Sequence, residues 1–88
     1  MAEDIFPREV VSHVPRVTLT GHERLHVEQH RGLIDYVPEH IVLRTSCGLM
    51  DVAGAGMRFT LYTAGEAVIT GRIDSVSFRR KEGGRCGE

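Results

Sequence analysis

No apolar run in this sequence approaches the roughly 20 residues that span a bilayer as a helix. The first residues, M-A-E-D-I-F-P-R-E, are acidic and lack the basic-then-apolar order of a secretory leader, so a cytoplasmic location is the expectation. Nor is there a surplus of either charge. Eleven basic and 12 acidic side chains leave a formal net charge of −1, where non-specific nucleic-acid binding needs a strong basic excess. Arg79-Arg80-Lys81 is the only basic cluster, and it does not outweigh that balance. Cysteine is scarce as well. Cys47 and Cys86 form no C-x-x-C pair, and without a leader they are expected to be free thiols, with Cys47 a small buried residue. At 88 residues the chain holds one thin core and no large enclosed cleft.

What is present is alternation. Val17 and Leu19 oppose Thr18 and Thr20; Leu25 and Val27 oppose His26 and Glu28; Ile41 and Leu43 repeat the pattern, as do Met57, Phe59 and Leu61, then Ala67, Ile69 and Ile73. A period of two, broken by glycine, proline and short polar turns, marks strands with one buried face. The spacing predicts strands over 16–20, 24–30, 33–37, 41–47, 49–52, 57–61 and 67–78. The parity of apolar positions switches between Ile73 and Val76, which predicts a bulge near Asp74-Ser75. The fold expected is all-β: a small antiparallel β-sandwich-like domain of about six or seven short strands over residues 16–79. An N-terminal arm precedes it at 1–15 and a disordered tail follows at 80–88. Its core is expected to draw on Val17, Leu19, Leu25, Val27, Ile41, Leu43, Phe59, Leu61, Ile69 and Ile73.

Three patterns bear on chemistry. His22-Glu23-Arg24-Leu25-His26 satisfies H-E-x-x-H, in which a helix sets two histidines on one face around zinc and the glutamate acts on the bound water. The strand periodicity on both sides denies it that helix. On a strand, His22, His26, Glu28 and His30 instead share one face, with neighbours at i and i+2 roughly 7 Å apart. Such a stripe is either a weak metal site or the solvated outer face that a half-buried strand requires. Gly54-Ala55-Gly56 resembles a phosphate loop but leads into a strand, where a phosphate site needs a helix N-terminus, so a turn between strands is expected. His30, Arg31, Tyr36 and Arg58 are the candidate partner-contact residues, arginine and tyrosine being enriched at interface hot spots. No catalytic residue and no cofactor is expected, Cys47 having no base beside it.

The ordered set V-P-R-V-T-L-T-G (14–21), V-E-Q-H-R-G-L-I-D-Y (27–36), I-V-L-R-T-S-C-G (41–48), V-A-G (52–54) and E-A-V-I-T-G-R-I-D-S-V-S-F (66–78) resembles the YabP/YqfC family of sporulation proteins, most of all its YqfC-like branch. The resemblance spans about residues 5–78. It implies an all-β, sandwich-like domain with no established catalytic activity. It also implies a role in endospore-forming bacteria, in the mother cell that surrounds the developing spore. A docking partner at the forespore membrane surface follows from that setting, while pairing of an exposed strand edge with a partner or with a second copy is expected from the strand pattern itself. His22-Glu23 with His26 departs from the family pattern, which marks H-E-x-x-H here as accidental.

Overall fold

The computed structural model describes residues 14–80; most of the expected N-terminal arm and all but the first residue of the expected tail lie outside them. Six strands follow one another: β1 (Arg16–Thr20), β2 (Arg24–Glu28), β3 (Leu33–Val37), β4 (His40–Thr45), β5 (Gly48–Tyr62) and β6 (Glu66–Arg80). They form one sheet in the order β1-β2-β6-β5-β4-β3, and every neighbouring pair is antiparallel.

The two central strands are the unexpected feature. Each has 15 residues, which at about 3.3 Å per residue would reach roughly 50 Å if straight. The longest principal extent of the molecule is 39 Å, and both strands bend within it. They do so together, where the register of β5 against β6 slips between Ala53 and Gly54, between Ala55 and Arg58, and between Phe59 and Leu61. Each slip is a bulge, and bulges sharpen bend and twist. The bend divides one sheet into two facing layers. The first holds β1, β2, the front half of β6 and the back half of β5; the second holds the back half of β6, the front half of β5, β4 and β3. Leu25 and Val27 of β2 therefore meet Ile41 and Leu43 of β4 in one buried cluster, although β2 and β4 are not sheet neighbours. The sandwich-like core thus arises from a single folded sheet.

The outer turns fasten the bend from both sides. Ile73 N–H donates to the His22 carbonyl at 2.7 Å and Gly71 N–H to that of Glu23 at 3.1 Å. Gly54 N–H donates to Glu39 O at 3.1 Å and Met57 N–H to Pro38 O at 3.0 Å. Gly54-Ala55-Gly56 is accordingly not a turn between two strands. It is the bend inside one, which merges the strands expected at 49–52 and 57–61 and brings the count to six. Strand β5 is thus long where two short strands were expected, while β6 is the strand expected at 67–78, extended at both ends. The bulge anticipated from parity is present: Ala53 faces Ser75 while Gly54 faces Ile73, leaving Asp74 as the extra residue.

Leu25, Val27, Ile41, Leu43, Ile69 and Ile73 are buried as expected, with Val17 and Phe59 packed at the margin of the cluster. Leu19 and Leu61 are not core residues; they are 48% and 41% exposed. Leu61 is displaced because Thr60 is the extra residue of the last slip, so Leu61 pairs with Val68 and moves to the opposite face. Leu19 lies on β1, which among the described residues has a neighbour on one side alone. Met50, Val52 and Met57 complete the core in their place. Cys47 is disulfide-bonded and half-buried, which corrects the expectation of a free, buried thiol.

Candidate functional site

The histidine stripe ends where β2 ends. Gln29 takes φ +69°, the only non-glycine with positive φ among the described residues, and its N–H donates to Gly65 O at 2.6 Å. This left-handed step breaks the alternation and turns His30 inward. His30 is 4% exposed. Its Nδ1 accepts the Gly32 N–H at 3.0 Å, so Nε2 carries the proton and donates to Thr63 O at 2.9 Å. The ring stacks on Tyr62 with centroids 5.0 Å apart. Both nitrogens are thus spent on the protein's own backbone, and His30 belongs to neither an exposed contact surface nor a metal stripe.

Beyond it, Arg31 N–H donates to Arg44 O at 2.7 Å and Arg44 N–H to Gly32 O at 2.8 Å, which carries the chain from the first layer to the second. The Arg31 side chain is exposed. With Arg44, Arg79 and Arg80 it lines a shallow depression of about 560 Å³ floored by Thr45, Ser46 and Leu49. One of these arginines is committed elsewhere. Arg79 grips Asp51 through Nε at 2.7 Å and Nη2 at 3.0 Å, and His40 Nε2 reaches Asp51 Oδ1 at 3.1 Å.

The Arg79 hydrogen bonds hold the Asp51 carboxyl below its ordinary pKa of 3.8, against the opposing effect of burial. A carboxylate whose folded pKa is depressed contributes stability above its unfolded value and loses it as pH falls through the folded one. Thermal melts taken from neutral pH downward should show that loss below pH 4, and Asp51→Asn should flatten it. An unchanged acid slope in Asp51→Asn would deny the pair any part in stability.

Among the described residues, strand β3 forms one margin of the sheet and pairs with β4 alone. All five of its residues, L-I-D-Y-V, are exposed. A native edge strand is ordinarily shielded by charge, proline or cover; β3 carries Asp35 as its single charge. Tyr36 bridges from it to the other layer. Its hydroxyl donates to Met57 O at 3.2 Å, and its ring lies 5.4 Å from Phe59, which in turn stands 5.4 Å from Tyr62. Tyr36, Phe59, Tyr62 and His30 form a row of rings closing the gap between β3 and the back half of β5. Arg58 is exposed on the outer face, in register with Thr70, whose hydroxyl is buried without a hydrogen-bond partner. Of the four expected contact residues, Arg31, Tyr36 and Arg58 are therefore surface residues and His30 is not.

His22 sits in the exposed turn between β1 and β2, where Glu23 N–H closes onto Thr20 O at 3.2 Å. His26 lies on β2, so H-E-x-x-H has no helix and no shared face for its histidines. His26 and Glu28 do share the outer face, and the structure adds Glu66 of β6. His26 Nε2 stands 2.7 Å from Glu66 Oε2 and 3.9 Å from Glu28 Oε2. Glu66 was not readable as part of this group, because only the β2–β6 register sets it opposite Glu28.

No helix among the described residues is long and apolar enough to cross a membrane. In sequence the chain is similar to the uncharacterized protein YqfC of Bacillus subtilis (strain 168), at 26% identity over 72 residues, covering 82% of this chain and 77% of the relative. No solved structure matches it. The YabP family model matches residues 12–85, a span that contains every strand of the sheet, and the chain belongs to the YabP family.

Proposed function

We propose that this chain is a non-enzymatic sporulation protein that acts in the mother cell by protein–protein contact. The observation that carries the contact reading is β3. Four of its five residues are apolar, all five are exposed, and among the described residues no strand pairs with the backbone N–H and C=O groups of its outer edge. An extended segment of a partner adds to such an edge through main-chain hydrogen bonds, and side chains beside it set the choice of partner. Tyr36 on the strand and Arg31 just before it supply that selectivity, with Arg58 on the adjoining outer face. Membership of the YabP family supports the sporulation setting. A partner embedded in the forespore membrane would place the domain at that membrane's surface, and β3 offers the same edge to a second copy of the chain.

The test is a pull-down from sporulating cells with the wild-type chain and with Arg31→Ala/Tyr36→Ala, joined by sedimentation of the purified proteins. The double variant is expected to lose the captured partner, or the self-association if the partner is a second copy, and to lower spore yield. Association and spore formation both unchanged in a folded double variant would remove the reading.

A further inference from the structure

We propose that His26, Glu28 and Glu66 form a divalent-metal site on the outer face of the first layer, of the kind that takes Zn²⁺. The register sets Glu28 directly opposite Glu66. Like charges at directly opposed positions of an antiparallel pair destabilise it, so this arrangement calls for a cation between them. His26, on the same face of β2, points its Nε2 at both carboxylates. One donor atom from each of the three residues lies within 4.8 Å of the other two.

Zinc binds imidazole nitrogen and carboxylate oxygen at about 2.0–2.2 Å, which at a tetrahedral angle sets donors about 3.4 Å apart. The His26–Glu66 distance of 2.7 Å has to open and the His26–Glu28 distance of 3.9 Å to close, each by less than about 1 Å. The side chains have room to do so, at 32%, 39% and 43% exposed. The backbones beneath them do not move, because β2 is held by β1 on one side and β6 on the other.

Two carboxylates balance a divalent charge, and a neutral imidazole with carboxylates suits Zn²⁺ or similar ions. Three ligands leave one tetrahedral position for water or for a group from another molecule. Arg16 Nε lies 3.9 Å from Glu28 Oε1, on a side chain 77% exposed that can swing clear of an incoming cation. This site is not the four-residue stripe of the sequence. His30 is consumed in the interior and His22 stands in a turn, while Glu66 joins from another strand.

Isothermal titration of the untagged, chelator-stripped full chain with Zn²⁺ near neutral pH decides the matter. The wild type is expected to take one equivalent and to melt higher with it, since an ion bound to the folded state alone stabilises that state. His26→Gln and Glu66→Gln should each weaken that equivalent at least about tenfold and abolish the rise in melting, while His22→Gln titrates like the wild type. Glu28→Gln gives an independent third reading should either first variant fail to fold. No saturable binding by the wild type, or ligand variants that titrate like it, would overturn the assignment.

Discussion

Replacing Gly54 or Gly71 with alanine is expected to unfold the domain. These two glycines lie where β5 and β6 bend across one another. A methyl group on Gly54 would be driven into the backbone carbonyl of Arg72. On Gly71 it would stand 2.5 Å from Gly56 O and 2.7 Å from Met57 Cα, at φ +133°, a conformation that side-chain-bearing residues rarely adopt. In both cases the obstacle is main chain held by the ladder, not the tip of a side chain that can turn away. The substitution must therefore separate the two longest strands of the sheet. The cost belongs with the exceptional losses above about 4 kcal/mol, against a total stability of about 5–15 kcal/mol for a domain. Gly65→Ala is the control. Nothing lies within 4 Å of its added carbon, and a stability change of no more than about 1 kcal/mol is expected there. Circular dichroism and urea titration of the three variants check this. A folded Gly54→Ala with an unchanged midpoint would mean that the bend does not depend on close approach of the two backbones.

His30→Ala is expected to lose about 3 kcal/mol. The ring satisfies the Gly32 N–H and the Thr63 carbonyl at once, and a buried polar group left without a partner costs about 1–3 kcal/mol. Loss of the stack on Tyr62 adds about 0.5–1.5 kcal/mol. In a domain of this size the sum corresponds to a fall in melting temperature of more than about 10 °C. His30→Phe separates the contributions, keeping a flat ring against Tyr62 while dropping both hydrogen bonds, and should fall between the wild type and alanine. If His30→Ala melts with the wild type, the ring is not structural, and its place among contact residues reopens.

Alternation alone located β1 to β4 and six of the core positions, because a period of two is imposed by the pleat and needs no knowledge of partners. The change of parity at Ile73 and Val76 located the Asp74 bulge for the same reason. What the sequence could not show was set by contacts between distant segments. A glycine-rich bend inside a strand and a turn between strands use the same residues; here the carbonyls of Pro38 and Glu39, meeting Met57 and Gly54, decide for the bend. Alternation carried past Gln29 set His30 outside, and carried past Thr60 set Leu61 inside. Each is reversed by one residue of irregular backbone that leaves no compositional trace. The candidate site divides in the same way. Arg31, Tyr36 and Arg58 were legible as surface residues, whereas Glu66 joins His26 and Glu28 only through pairing between strands far apart in the chain.

Because β5 and β6 run through both layers, synthesis of this chain has a particular order. The β1–β2 and β3–β4 hairpins leave the ribosome before β5 and β6, each with an apolar face and no surface to cover it. Both wait for the last ribbon, to which each attaches along one side. Long-range pairing of this kind is slow and leaves strands open to aggregation meanwhile. A nascent chain stalled before residue 66 would hold neither layer complete, so protease resistance should appear in one step, once β6 has emerged.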